Sequence, residues 1–308
     1  MKVIITGASG VLGRATTRYF HSQGDTVIPL SFTRSGPSND QSSSSNSLPA
    51  YQKLDLLDFD ATRDFFHSQN TDDDSHVDVI VHCAAERRPD VAEQDPVRAE
   101  RLNRDVVEVV ARLAEEVGAL MVYVSTDYVF DGTSPPYKPA DKPNPLNLYG
   151  KLKEAGEQAV LASRKSSKHA GQVGKGCIVL RVPLLYGEVE FNSETAVNIF
   201  VDVIEDQSGK TYKNHPSPLP PIVHFSSQKG YTKYEMTTLI ASFLNLPIEH
   251  VIPDTTDPST LPNQTVQRPG NTQLSVRELE EEVGISAKES KGFERWWTEW
   301  AEKYRADK

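Results

Sequence analysis

A glycine-rich turn stands at the start of this chain, between a short apolar run and a stretch with helical periodicity. Lys2–Thr6 reads KVIIT, and the run Gly7-Ala8-Ser9-Gly10-Val11-Leu12-Gly13 follows at once. A strand, a glycine turn and a helix in this order are typical of a dinucleotide-binding βαβ unit. Gly7 would permit the tight turn, Gly10 would let backbone N–H groups approach a pyrophosphate, and Gly13 would let helix and strand pack closely. A plain βα turn in a non-binding domain is the alternative.

Strand-like and helical patterns then alternate along the chain. The strand-like runs are Thr26–Leu30, a short one ending at Leu54-Asp55-Leu56, Val77–Cys83, Met121–Ser125 and Cys177–Val182. The alternation predicts an α/β fold with a Rossmann-type doubly wound parallel sheet. We assign residues 1–187 to this domain, with flexible loops at 35–50 and 163–176, and residues 188–308 to a smaller C-terminal α/β lobe.

The end of the second strand bears on the choice of dinucleotide. NAD-binding folds usually place Asp or Glu there, on the ribose hydroxyls. This chain reads Leu30-Ser31-Phe32-Thr33-Arg34, with an arginine and no acidic residue. A guanidinium favours a 2′-phosphate and hence NADP, with Phe32 against the adenine. Asp55, at the end of the third strand, would reach the adenine amino group. Arg34 as a solvated loop charge is the alternative.

Tyr149 and Lys153 form a second candidate constellation, because they lie at i and i+4 of a predicted helix. That spacing puts the phenol and the ammonium on one side. A nearby cation favours phenolate over phenol, so such a tyrosine can exchange a proton near neutral pH. The preceding strand delivers Thr126 to its carboxyl end. Together these groups fit a proton-coupled hydride transfer, although Tyr-x-x-x-Lys alone also occurs by chance.

Composition excludes several other classes of protein. The chain has 308 residues and a formal net charge of −10, which argues against nucleic acid or an anionic membrane surface as its main partner. We see no basic-then-apolar leader and no apolar run near the ~20 residues that span a bilayer. Cys83 and Cys177 make no disulfide framework, and the eight histidines show no metal-ligand spacing. We therefore expect a reduced, cytoplasmic protein with no metal.

Several longer runs carry a family resemblance. The chain resembles the extended short-chain dehydrogenase/reductase superfamily, and within it the RmlD-like branch of dTDP-4-dehydrorhamnose reductases, through TGASGVLG at 6–13, STDYVFDG at 125–132, PLNLYGKLK at 145–153 and LRVPLLYGEVE at 180–190. It is similar, more narrowly, to the regulatory β subunits of methionine adenosyltransferase through VHCAAERRPDV at 81–91, TKYEM at 232–236 and QRPGNTQLS at 267–275.

The resemblance implies an NADP site and the residues that would form it. From the pyrophosphate through the adenosine to the nicotinamide, these are Ser9, Gly10, Val11 and Leu12; Phe32 and Arg34; Asp55 and Leu56; and Cys83, Arg87, Tyr149, Lys153 and Leu185. It also implies that Thr126, Tyr149 and Lys153 match the catalytic residues of the family's reductases.

Two functions follow as hypotheses. The first is an NADP-binding regulator that binds the catalytic subunit of methionine adenosyltransferase and supports S-adenosylmethionine synthesis. The second is an NADPH-dependent reductase of a nucleotide-linked 4-keto-6-deoxy sugar. The first is favoured, because the narrower runs match the regulatory subunits. The resemblance also implies that the proline-rich run Gln207–Pro221 replaces a strand and helix of the substrate cleft, a loss that would harm a substrate cleft more than a cofactor cleft and would leave the C-terminal lobe incompletely packed.

The tail presents an aromatic stripe at helical spacing, made of Phe293, Trp296, Trp297, Trp300 and Tyr304. This stripe would either pack on its own domain or dock against a partner.

Overall fold

The predicted parallel sheet is confirmed. A computed structural model describes residues 1–33, 48–70, 76–166, 175–185, 221–226, 229–244, 266–283 and 292–306. Its seven strands are all parallel and lie in the order β3-β2-β1-β4-β5-β6-β7. They are β1 Lys2–Thr6, β2 Thr26–Ser31, β3 Gln52–Lys53, β4 Val79–His82, β5 Leu120–Thr126, β6 Gly176–Val182 and β7 Ile222–His224. The strand order reverses between β1 and β4, which is where open α/β sheets bind their ligands.

Helices flank this sheet. They are α1 Val11–Ser22, α2 Phe59–Ser68, α3 Pro89–Gln94, α4 Pro96–Glu100, α5 Val106–Val117, α6 Leu148–Ser166, α7 Lys233–Leu244, α8 Arg277–Glu282 and α9 Phe293–Ala306. Local chemistry sets several of their ends. The carboxylate of Asp58 accepts a hydrogen bond from Ala61 N at 3.0 Å and so caps α2. Gly118, with φ 68°, ends α5 in the left-handed conformation.

The core lies between the sheet and α5. Ile4, Ile80, Met121 and Val179 come from four adjacent strands, and all are fully buried. Val107 on α5 is equally buried and belongs to the same cluster. Each such side chain stabilises the fold by roughly 1.5–3 kcal/mol through its removal from water. The strands are therefore held rigidly, and their carboxyl ends are fixed relative to one another.

The structure departs from the sequence prediction at several elements. The helices α3 and α4 were not predicted, and the turn Arg101–Asp105 that follows them is π-helical. The predicted loop 163–176 begins inside α6, because Arg164 Nη1 donates to Cys177 O at 2.9 Å and ties the last turn to β6. Nearly all of the proline-rich run Gln207–Pro221 and most of loop 35–50 lie outside the described residues.

β7 comes from the part of the chain assigned to the C-terminal lobe, yet it pairs with β6 in the same sheet. The division of the chain at residue 187 stays a prediction. No helix within the described ranges is long and apolar enough to cross a membrane. The same ranges contain no group of three or more His, Cys, Asp or Glu side chains that could hold a metal ion.

Candidate functional site

The three glycines of the first turn are there for different reasons. Gly7 has φ 64°, and a Cβ on it would lie 2.7 Å from Ala84 N. A Cβ on Gly13 would lie 2.3 Å from Gly7 O, so the chain itself requires both glycines. Gly10 has ordinary extended angles, φ −79° and ψ 167°, and a Cβ there would meet only Gly7 O at 3.3 Å.

The missing side chain at Gly10 leaves a cradle at the N-terminus of α1. No described side chain caps this helix, and its first turn contains no acidic residue. Free N–H groups and the positive end of the helix dipole make such a place suitable for a phosphate. Ser9 O accepts a hydrogen bond from the buried Arg14 guanidinium at 2.6 Å, which fixes the turn. The residues present therefore fit the pyrophosphate of a dinucleotide.

The ends of β2 and β3 form the region predicted for the adenosine. Ser31 Oγ donates to Ser9 Oγ at 3.0 Å, which joins this region to the glycine turn. Phe32 is 45% exposed, and Lys53 Nζ lies 5.8 Å from the centre of its ring. Sequence reasoning missed Lys53, whose only signal was its place at the end of a two-residue strand. Arg34 lies outside the described residues.

The other two residues predicted at the adenine follow β3. Leu56 is buried, whereas Asp55 is half-buried and its Oδ1 accepts a hydrogen bond from Leu57 N at 3.0 Å. This bond fixes the carboxylate beside the strand end.

The loop after β4 carries Cys83 and Arg87. Burial raises the pKa of the Cys83 thiol to about 12, so the thiol stays neutral at physiological pH. The side chain of Asn103, in the π-helical turn, bonds both backbone groups of Glu86: its Oδ1 accepts from Glu86 N and its Nδ2 donates to Glu86 O, each at 2.9 Å. Asn103 thereby holds the loop that presents Arg87, and sequence reasoning missed it.

Tyr149 and Thr126 are brought together at the carboxyl end of β5. Burial raises the pKa of the Tyr149 phenol, while a hydrogen bond with Thr126 and the charge of Arg87 oppose that shift. Thr126 Oγ1 also donates to Asp127 Oδ1 at 3.2 Å. The phenol is therefore protonated at neutral pH and can act as a proton donor. Leu185 lies half-buried beyond the end of β6.

Lys153, one turn after Tyr149 on α6, is buried. Its Nζ donates to Val124 O at 2.7 Å and lies 4.1 Å from the centre of the Tyr123 ring. Burial lowers the pKa of Lys153 to about 7, and the negative charge of Glu157 opposes this shift. The ammonium is thus close to its titration point at neutral pH.

The segment 266–276, which contains the run QRPGNTQLS, packs against the same edge of the sheet. Arg268 Nη2 donates to Asp90 Oδ2 at 2.6 Å, and Thr272 Oγ1 donates to Asp127 Oδ2. Burial raises the pKa of Asp127 to about 6, which the bond from Thr272 opposes. Three of the runs that carry the family resemblance, at residues 81–91, 125–132 and 267–275, therefore meet in space.

Comparison with known proteins identifies a family and several relatives of this chain. The profile of the family described as RmlD substrate binding domain matches residues 1–213. Methionine adenosyltransferase 2 subunit beta of Bos taurus is 37% identical over 304 residues, which cover 91% of this chain and 81% of that protein. A dTDP-4-dehydrorhamnose reductase of Mycolicibacterium smegmatis is 33% identical over 165 residues, which cover 53% of this chain and 42% of that protein.

Among solved structures, the fold resembles a dTDP-4-dehydrorhamnose reductase from Bacillus anthracis in complex with NADP. The TM-score is 0.69 and the identity 21%, and the match covers 100% of this chain and 99% of that one.

Proposed function

This chain belongs to the RmlD substrate binding domain family, and from that premise we propose that it is an NADP-binding regulatory subunit of a methionine adenosyltransferase. The observation that carries the proposal is the 37% identity with a subunit beta, which extends over 91% of this chain. The similarity to the mycobacterial reductase extends over only 53%. In this role the protein would bind the catalytic subunit and support S-adenosylmethionine synthesis.

The cofactor part of the proposal is supported by the cradle at Gly10 and by the end of β2. Ser9, Val11 and Leu12 would surround the pyrophosphate with Gly10, at the uncapped start of α1. No acidic side chain stands at residues 30–34, where a carboxylate would repel a 2′-phosphate. Arg34 would bind that phosphate, and Phe32 would contact the adenine.

A reductase is the second candidate, and it is favoured because Thr126 and Tyr149 lie together at the carboxyl end of β5, where Thr126 opposes the rise that burial causes in the pKa of the phenol. Bound NADPH would supply a hydride to the ketone carbon of a nucleotide-linked 4-keto-6-deoxy sugar. Tyr149, whose phenol is protonated at neutral pH, would donate a proton to the ketone oxygen, and Thr126 would orient that oxygen. Lys153 would hold the ribose.

Two measurements test the proposed function. The native protein should capture a methionine adenosyltransferase catalytic subunit in a pulldown, and titration calorimetry should give tighter binding of NADP⁺ than of NAD⁺. Replacing Arg34 by Ala should weaken NADP⁺ binding by about 1.5–3 kcal/mol, the usual contribution of a hydrogen bond between charged groups, and leave NAD⁺ binding unchanged.

Arg63→Ala is the matched control for that substitution, because Arg63 is an exposed arginine on α2 that pairs with Asp60. Equal affinities of the wild-type protein for the two dinucleotides would contradict the NADP assignment. Failure to capture the catalytic subunit would contradict the regulatory role.

A further inference from the structure

A buried ion pair lies one turn beyond Lys153 on α6. Arg181 Nε donates to Glu157 Oε1 at 2.9 Å, and Arg181 Nη2 donates to Glu157 Oε2 at 2.6 Å. Both side chains are essentially inaccessible to water, at 0% and 2% exposure. Ser125, the residue before Thr126 on β5, donates to Glu157 Oε1 at 2.6 Å. Because removing two charges from water is costly, an apolar pair of similar volume often stabilises a fold equally well.

Arg181 is fixed from other sides as well. Its Nη1 donates to Pro139 O at 3.2 Å and lies 3.3 Å from His224 Nε2 on β7. Its guanidinium carbon lies 5.0 Å from the centre of the Phe130 ring. The carboxylate of Glu157 is therefore held by a guanidinium that cannot move independently of β6, β7 and the loop after β5.

This fixed carboxylate lies on the same side of α6 as the candidate catalytic pair. Tyr149, Lys153 and Glu157 follow one another at intervals of four residues, which places them along one face of the helix. The helix also approaches β5 closely, since a Cβ on Gly156 would lie 2.4 Å from the Tyr123 hydroxyl. The anchor at Glu157 thus sets the rotation of α6 about its axis.

We propose that Glu157 and Arg181 are positioning residues of the candidate cofactor site, which orient α6 and supply the negative charge that faces Lys153. The inference rests on the proposed function where it concerns NADP. It concerns residues of this chain that the family resemblance did not single out.

Most of the negative charge near Lys153 comes from Glu157. The titratable groups around the ammonium are His82 from β4, Cys83 from the loop after β4, Tyr123 from β5, and Tyr149 and Glu157, which lie one turn to either side of Lys153 on α6. Burial lowers the pKa of His82 to about 3, raises that of Cys83 to about 12 and raises those of both tyrosines. These four groups are neutral at pH 7, so the charge among them is that of Glu157, whose carboxylate is itself paired with the Arg181 guanidinium from β6.

A double variant separates this role from a merely structural one. Glu157→Leu combined with Arg181→Met removes both charges, keeps much of the volume and leaves no buried charge unpaired. Its thermal midpoint should stay near that of the wild-type protein, whereas its NADP⁺ dissociation constant at pH 7 should rise about tenfold. Glu154→Gln, a half-buried carboxylate on the same helix outside the ion pair, is the control and should leave binding unchanged.

A second readout needs no cofactor. A buried lysine whose pKa is lowered binds fewer protons than in the unfolded chain, so its contribution to stability increases as pH rises from its folded pKa towards 10.5. The thermal midpoint of each protein is compared with that of its Lys153→Met derivative between pH 5 and pH 10. In the wild-type protein, the thermal midpoint relative to that of the derivative should begin to rise near pH 7. In the double variant, this rise should begin at a lower pH. If the double variant does not fold, the NADP⁺ dissociation constant and the pH dependence of the thermal midpoint are measured on Glu157→Gln instead.

The inference would be overturned by a folded double variant that binds NADP⁺ with wild-type affinity and whose relative thermal midpoint begins to rise at the same pH as in the wild-type protein. A wild-type protein that binds no NADP⁺ would contradict the proposed function alone. The pH at which the relative thermal midpoint begins to rise would then decide whether the inference holds.

Discussion

At the scale of single residues, Gly10 and Gly13 provide a matched pair of substitutions. Gly10→Val should abolish NADP⁺ binding and leave the fold intact, because φ −79° suits any residue and the new side chain would fill the phosphate cradle. Gly13→Ala should instead lower the free energy of unfolding by about 1–3 kcal/mol, because its Cβ would lie 2.3 Å from Gly7 O. Calorimetric titration and thermal unfolding of both variants check this. Wild-type NADP⁺ affinity in folded Gly10→Val would mean that the turn is only structural.

Asp127 should give the protein a distinctive dependence of stability on pH. Its pKa rises from 3.8 to about 6 on folding, so the native state binds more protons than the unfolded chain between these values. Its contribution to stability is therefore complete below about pH 4 and is lost as pH rises through 6, a change of roughly 2–3 kcal/mol. Asp127→Asn should remove this fall, as measured by denaturant unfolding from pH 4 to 7. Asp60→Asn, at an exposed carboxylate, should not.

At the scale of elements, local patterns account for what the sequence could predict. The strands β1, β2, β4, β5 and β6 were found because they are continuous apolar runs. The start of α7 is also set locally, because Thr232 and Glu235 form a capping box in which Glu235 N donates to Thr232 Oγ1 at 3.1 Å. The short helices α3 and α4 were missed because each has six residues or fewer, too short for a periodicity to emerge. Both helices pack against α6.

The residues of the candidate site also fall into two groups: those that a local pattern predicts and those that only the fold brings together. The glycine turn and the Tyr149–Lys153 pair are local spacings, so the sequence was sufficient to find them. Arg181 lies 24 residues from Glu157, and Arg268 lies 178 residues from Asp90. Such pairs depend on which strands become neighbours and on where a distant segment packs, and no short pattern carries that information.

The aromatic side of α9 packs against α7, which decides between the two interpretations of the tail. Phe293, Trp297 and Trp300 are almost fully buried against α7, where they contact the cluster of Met236 and Ile240. Trp300→Ala should therefore lower the free energy of unfolding by about 3–5 kcal/mol, the usual effect of removing a large buried aromatic group. Thr298→Ala, on the exposed side of the same helix, should change it little. Thermal unfolding of both variants tests this, and a stable Trp300→Ala protein would contradict the packing.

At the scale of the whole molecule, one substitution separates the two candidate functions. Tyr149→Phe removes a single hydroxyl at the end of β5, where burial raises the pKa of the phenol. In a regulatory subunit this change should leave co-purification with the methionine adenosyltransferase catalytic subunit nearly unchanged, because the lost hydroxyl lies beside Thr126 in the candidate cofactor site. In a reductase it should lower turnover by a factor of about 10²–10⁴, the usual contribution of a positioned proton donor.

Under the regulatory interpretation we also expect a specific effect of removing the tail. Because the tryptophans of α9 are already buried within the chain, truncation from Phe293 should weaken association with the catalytic subunit only as far as it unfolds the cluster that α7 and α9 form. The measurements are NADPH oxidation with a dTDP-linked 4-keto-6-deoxy sugar and co-purification with the catalytic subunit, each on the wild-type protein, Tyr149→Phe and the truncation. Rapid turnover that depends on Tyr149, without co-purification, would replace the regulatory interpretation by the reductase one.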